Sequence, residues 1–218
     1  MSEITPELLL KAYAFGVFPM AKSRADDKVF WVQPKERGVL PLDQFHVPRS
    51  LRKTLRRGDF VVTCDQDFAG VLAGCAEPGP HRPETWINAT IVELFTSLHH
   101  AGLAHSIETW RDGELVGGLY GLAMGAAFFG ESMFSRTDDA SKVALCHLVG
   151  IMRQGGFTLL DTQFITDHLK RFGTVEIPQS EYLALLSTAL SQHGHFGPPL
   201  DQGALDAVLF SQDNTHKS

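Results

Sequence analysis

At 218 residues, with 44% hydrophobic and 20% charged side chains, the chain has the make-up of a globular protein that can bury a sizeable core; disordered and fibrous classes are excluded. A formal net charge of -6 excludes a protein that coats nucleic acid with its whole surface, but leaves room for a local basic patch.

In chain order, Thr5-Pro6-Glu7 opens a first helix: a capping hydroxyl, a proline at the first helical position and an acid at the positive end of the dipole. Leu8, Leu9, Ala12 and Phe15 give it an apolar face, and Gly16 ends it. Val29 to Val32 and Gly38 to Leu40 read as short strands about a turn at Pro34. Pro48 to Arg57 is a helix stopped by Gly58, Phe60 to Cys64 a strand, and Phe68 to Cys75 a short helix. The proline-rich loop Glu77 to Pro83 marks an internal boundary.

Beyond it, Asn88 caps a helix with Ile91, Val92, Leu94, Phe95 and Leu98 inside, ended by Gly102. Ala104 to Trp110 and Glu114 to Met124 form a hairpin about Asp112-Gly113, a pair suited to a tight primed turn. Ala126 to Phe134 is a third strand, Asp139 to Gln154 a helix and Thr158 to Phe164 a strand. A short helix from Asp167 to Phe172, a strand from Val175 to Ile177 and a last helix from Ser180 to Ser191 precede a polar tail. This order predicts an α/β (α+β) protein in two parts. Residues 1–80 form a small mixed N-terminal domain, and 81–218 an N-acetyltransferase-like domain with a mixed sheet.

Cys64, Cys75 and Cys146 are odd in number and widely spaced, which fits a reducing cytoplasm better than a disulfide framework or a structural zinc site. Met1 to Met20 has no basic segment ahead of an apolar stretch, as a signal peptide would. The weakly polar run from Val116 to Gly130 is glycine-rich and shorter than the roughly 20 residues of a membrane span. Acyl-coenzyme-A-dependent members of the fold bind pyrophosphate on a glycine-rich loop and the helix after it. The corresponding stretch, Ser135 to Lys142, has no glycine and carries Asp138 and Asp139, which counts against coenzyme A.

The segment Phe129-Gly130-Glu131-Ser132-Met133-Phe134-Ser135-Arg136 resembles the leucyl/phenylalanyl-tRNA–protein transferase family. So do His105 to Trp110, Leu115 to Gly121, Leu160-Asp161-Thr162-Gln163, Phe15 to Pro19 and Glu84 to Ile87. The resemblance implies transfer of leucine or phenylalanine from leucyl-tRNA or phenylalanyl-tRNA to proteins beginning with arginine or lysine, which are then marked for degradation. It implies no metal and no organic cofactor. Two other readings are a coenzyme-A-dependent N-acetyltransferase and a non-catalytic tRNA-binding module.

The implied chemistry is aminolysis of an ester. An α-amino group, with a reference pKa of about 7.7–8.0, is already partly neutral at pH 7, so orientation matters more than a strong base. Asp161 and Gln163 share one face of their strand. In the family's terms the Gln163 carbonyl accepts a hydrogen bond from the attacking amine, polarised by Asp161 through a relay; otherwise the two are a satisfied polar pair. Glu131, flanked by Phe129 and Met133, needs a partner if buried: an amino group or ribose hydroxyl of the substrates, or Arg136 in a salt bridge.

Leu145, Leu148 and Met152 make one helix stripe, which by itself reads as core. The resemblance places them around the donor side chain with Leu119, Phe128, Met133 and Leu160. Phe128 and Met133 have opposite parity on one strand, so sharing a pocket requires a bulge or bend. Trp86 either stacks on the terminal adenine or packs in the core. Arg49, Arg52, Lys53, Arg56 and Arg57 lie on one helix face with no acid among them, which reads as a tRNA phosphate track on an otherwise acidic protein. Two positions depart from the family pattern: Met20 follows Phe-Pro where tryptophan is frequent, and Thr166 replaces an asparagine. His99, His100, His193 and His195 are assigned no metal.

Overall fold

The computed structural model describes residues 4–26, 28–78 and 84–210, so Gly79 to Pro83 of the proline-rich loop lie outside the described residues. Helix α1 (Pro6–Ala14) starts where expected, with the Thr5 hydroxyl accepting from the Leu8 amide at 3.3 Å. Its buried face is Leu9 and Tyr13, both 0% exposed, whereas Leu8 and Phe15 are 43% and 70% exposed. Almost every residue of α1 is apolar, so periodicity could not single out this face.

Strand β1 (Phe18–Ala21), absent from the sequence reading, pairs antiparallel with β2 (Val29–Val32) in a separate two-stranded sheet. Its Pro19 is tolerated because β1 has only one ladder neighbour. There follow β3 (Glu36–Val39), a single 3₁₀ turn (Leu42–Gln44), α2 (Arg49–Arg57), β4 (Val61–Cys64) and α3 (Phe68–Ala76). Gly58 closes α2 in the left-handed region at φ 67°.

Helix α4 (Ala89–His100), capped by Asn88, leads into the hairpin of β5 (Ala104–Arg111) and β6 (Glu114–Met124). Asp112 and Gly113 at the turn both have positive φ, 53° and 80°, as a primed turn demands. The remainder is β7 (Ala127–Ser135), α5 (Ala140–Gln154), β8 (Leu159–Gln163), α6 (Asp167–Lys170), β9 (Val175–Pro178), α7 (Gln179–Leu190) and α8 (Gln202–Phe210). Helix α8 falls in the stretch expected to be a polar tail. It forms because Leu205 and Leu209 bury against the core that α5 helps to build, and the Arg153 guanidinium of α5 donates to the Val208 carbonyl at 2.8 Å.

The main sheet runs β4-β5-β6-β7-β8-β3-β9, antiparallel except for the parallel pair β7 and β8. Strands β3 and β4 precede residue 80, so this sheet is continuous across the boundary expected there. One core cluster joins α1, α3, α4 and α7 to one face; the other joins α2, α5 and α8 to the opposite face.

Two irregularities shape the middle of the sheet. On β7, Gly130 pairs with Gly121 and Ser132 with Tyr120, which leaves Glu131 as a bulged residue with no partner on β6. The bulge resolves the parity conflict, since Phe128 and Met133 belong to the same core face. The parallel ladder of β7 with β8 ends at the Phe129 and Asp161 pair, after which β8 bonds only to β3, through Gly38 and Gln163. The sheet therefore forks just beyond Phe129 and Asp161.

Candidate active site

The fork is bridged by side chains. From one arm, Glu131 Oε1 accepts from the amide Nε2 of Gln163 at 2.9 Å and from the Tyr13 hydroxyl of α1 at 2.6 Å. Gln163 ends β8 in the left-handed region at φ 62°, so it turns away from plain strand alternation to meet Glu131. Gly38, its partner on β3, must be glycine: a Cβ there would stand 2.8 Å from the Phe164 carbonyl carbon. Arg136, the alternative partner for Glu131, instead pairs with Glu77 at 2.7 Å.

Asp161 lies behind this bridge and is 0% exposed. Arg37, itself 1% exposed, grips it with Nε on Oδ1 at 2.9 Å and a terminal nitrogen on Oδ2 at 2.6 Å. The Tyr182 hydroxyl of α7 donates to Oδ2 at 2.7 Å, and the main-chain N–H of Gln163 donates to Oδ1 at 2.8 Å. The Arg37 guanidinium also donates to the Gly16 carbonyl at 3.0 Å and lies 4.5 Å from the ring centre of Phe18 and 4.6 Å from that of Tyr182. Asp161 thus orients Gln163 through its backbone rather than through its amide. Tyr13, Arg37 and Tyr182 escaped the sequence reading. An arginine inside a short strand, next to a glycine, was the one available hint.

Burial drives the Glu131 carboxyl up to about 7, against the lowering pull of the Tyr13 and Gln163 hydrogen bonds. Its Oε2 is buried without a hydrogen-bond partner among the described residues. Between its ordinary 4.5 and about 7 the folded protein holds a proton that the unfolded chain has released, so stability falls as pH rises through that window and levels off above it. Glu131→Gln should therefore melt higher than wild type at pH 8 and the same at pH 4; parallel melting curves across that range would contradict the buried, unpaired oxygen.

A cavity of about 300 Å³ opens beside the bridge. Glu131, Gln163, Trp86, Leu119, Met133, Leu145, Leu148 and Leu160 line it, together with Met20, Phe164, Thr166, His168 and Leu169, which the sequence reading had not placed there as pocket residues. Phe128 and Met152 are not on this lining. Both are 0% exposed in the core, and Phe128 stacks on Phe196 at 5.7 Å between ring centres. Asp161 is likewise behind the wall rather than on it. Thr166, in place of the asparagine, caps α6 by accepting from the Leu169 amide at 3.2 Å.

The basic residues of α2 are not equivalent. Arg49, Lys53 and Arg56 are exposed and have no ion-pair partner among the described residues; Arg57 pairs with Asp59 at 2.8 Å; Arg52 lies 4.4 Å from the Phe210 ring centre and donates to the Val47 carbonyl. At the start of α5, where a pyrophosphate would sit in coenzyme-A enzymes, the Ser141 amide donates to the Ser135 hydroxyl and the Ala140 amide to the Thr137 carbonyl. The loop's own oxygens thus occupy these donors. Among the described residues no three His, Cys, Asp or Glu side chains are grouped to hold a metal, and no helix is long and apolar enough to cross a membrane.

Residues 39–187 match the sequence profile of the leucyl/phenylalanyl-tRNA protein transferase, and residues 2–35 match the profile of its N-terminal domain. The chain is 59% identical to the leucyl/phenylalanyl-tRNA–protein transferase of Paramagnetospirillum magneticum, over 90% of this chain and 94% of that protein. It is 60% identical to the enzyme of the same name from Rhodospirillum rubrum, over 90% of this chain and 92% of that one. Among solved structures FemX superposes with a TM-score of 0.50 at 12% identity, over 81% of this chain and 68% of that one, a likeness of fold. The chain belongs to the leucyl/phenylalanyl-tRNA–protein transferase family.

Proposed function

We propose that this protein transfers leucine or phenylalanine from its tRNA to the α-amino group of a protein that begins with arginine or lysine, in the cytoplasm, and so marks that protein for degradation. The observation that carries this reading is the bridge of Glu131 and Gln163 at the edge of a cavity walled by Leu119, Met133, Leu145, Leu148 and Leu160. Polar groups stand where an ester and an amine would meet, and apolar ones where an uncharged side chain would lie.

The acceptor nitrogen attacks the ester carbonyl carbon. A C–N bond forms, the bond to the ribose oxygen breaks, and that oxygen leaves with the proton the nitrogen gives up. Because the Gln163 amide nitrogen is committed to Glu131, its carbonyl oxygen is the end available to accept from the attacking amine. Glu131, with a pKa of about 7, is matched to an α-ammonium and can take its excess proton through Oε2. Asp161 is a positioning residue that fixes the Gln163 backbone. Trp86 on the cavity wall is the surface for the terminal adenine, and the exposed cations of α2 track the tRNA phosphates.

The test is incubation with labelled leucyl-tRNA and a peptide beginning with arginine: label should pass to the peptide. Stoichiometric binding of charged tRNA without transfer would indicate a non-catalytic module instead, and tight acetyl-coenzyme A binding an acetyltransferase. Two substitutions separate pocket from core. Leu148→Trp, on the cavity wall, should give a folded, tRNA-binding protein unable to use phenylalanyl-tRNA. Met152→Trp should instead lower stability by about 1–3 kcal/mol through overpacking, without selective loss of a donor. A Leu148→Trp protein that still uses phenylalanyl-tRNA at the wild-type rate would remove the pocket assignment.

A further inference from the structure

The basic face of α2 does not stop at the helix. The Thr54 hydroxyl of α2 donates to Asp139 at 3.0 Å, and Asp139 accepts from Lys142 of α5 at 2.6 Å. At its other end, α2 is preceded by Phe45 and His46. Phe45 stacks on Phe172 with ring centres 5.7 Å apart, and the His46 amide donates to the Phe172 carbonyl at 3.0 Å. Arg171, adjacent to Phe172, is exposed and has no ion-pair partner among the described residues. His168, half-buried on the cavity wall, sets its ring edge-on to Phe172 at 5.3 Å.

Lys142 lies one helical turn before Leu145 on α5 and Arg171 three residues after His168, and both Leu145 and His168 line the cavity. Consistent with this, the His168 pKa is lowered by burial first and then by the charges of Lys142 and Arg171. Three acids of this region are each met by a cation: Asp59 by Arg57, Asp139 by Lys142, and Asp167 by Lys170. Arg49, Lys53, Arg56 and Arg171 are left with their charge uncompensated by any ion pair among the described residues, and Lys142, though paired with Asp139, keeps 35% of its side chain exposed to a further anion.

We propose that Lys142 and Arg171, flanking His168, form a seat for the phosphates of the donor's single-stranded 3′ end and continue the α2 track to the reaction centre. This rests on the aminoacyl-transfer reading above. A charged tRNA must reach the cavity with its terminal nucleotides unpaired, and their phosphates need cations beyond those that hold the helical stem. Lys142 precedes the cavity-lining Leu145 by one turn of α5 and is joined to α2 through Asp139 and Thr54, and Arg171 follows the cavity-lining His168 by three residues, so both stand beside the route such a tail would take.

Binding of a fluorescent RNA hairpin ending in an unpaired ACCA tail, followed by anisotropy against salt, tests the seat without requiring transfer. Arg171→Ala and Lys142→Gln should each weaken binding several-fold and reduce the magnitude of the salt slope by about 0.7. Arg171→Lys should restore both. With the tail trimmed off, these variants should bind like wild type, whereas Lys53→Ala should weaken both hairpins. Wild-type affinity of Arg171→Ala for the tailed hairpin, or equal weakening with and without the tail, overturns the proposal. In the transfer assay an aminoacyl-adenosine donor, which has no phosphate, should be used equally by wild type and Arg171→Ala; a larger loss on that donor also overturns it. Tail-dependent binding in a protein that transfers nothing from any donor would leave the seat standing and sink the transferase reading.

Discussion

Gln163→Ala should keep its fold, bind charged tRNA like wild type, and lose single-turnover transfer to an arginine-initiated peptide by on the order of 10²–10³, the scale for removing one preorganised polar group from a reacting centre. The fold survives because alanine meets the same backbone demand as glutamine at φ 62°, and the main-chain N–H bonded to Asp161 is untouched. What disappears is the proposed acceptor for the attacking amine and one of the two donors to Glu131 Oε1. Gln163→Glu keeps the shape but sets a second carboxyl against Glu131, so it should fail as badly. An alanine variant that transfers at the wild-type rate would remove Gln163 from the mechanism and leave Glu131 as the first residue to test.

Asp161→Ala should behave differently, with a loss of stability of about 3–5 kcal/mol in urea unfolding, because it strands the Arg37 guanidinium without its buried partner. Arg37→Ala should match it by stranding the carboxylate. The double variant Arg37→Met with Asp161→Leu should regain only part of that stability, since an apolar pair avoids the desolvation that the ion pair suffers but leaves the Tyr182 hydroxyl and the Gln163 N–H without their buried acceptor. Transfer should stay low in the double variant, because the Gln163 backbone N–H loses its acceptor. If Asp161→Ala unfolds within about 1 kcal/mol of wild type, the pair is not what holds this end of β8.

Local chemistry made much of the fold readable. The Thr5, Gly58 and Asn88 signals and the Asp112-Gly113 turn act over three or four residues and do not depend on distant partners. Glu131 and Gln163 were legible through family motifs, and the bulge near Glu131 through the parity of Phe128 and Met133. Helix α8 was not, because its burial depends on the α5 surface that receives it, including Gly150, where a Cβ would stand 2.8 Å from Leu205. Tyr13, Arg37 and Tyr182 were hidden for a related reason. Each completes a network whose other members lie on different elements, and no spacing rule links them. Strand alternation puts the side chain of Asp161 beside that of Gln163; in the structure the two do meet, but with the left-handed turn at Gln163 it is the main-chain N–H of Gln163 that bonds Asp161.

The bridge across the fork also bears on how the chain acquires its activity during synthesis. Tyr13 meets Glu131 across 118 positions, and Arg37 meets Asp161 across 124. The first forty residues leave the ribosome long before the carboxylates they serve exist. Arg37, which ends fully enclosed, stays in water until β8 and then Tyr182 of α7 have been made. Contacts of such separation form slowly and late, after loop closure has been overcome. The candidate site is thus among the last features to assemble, and a chain halted before α7 carries every cavity-lining residue yet lacks the Tyr182 that completes the Asp161 network.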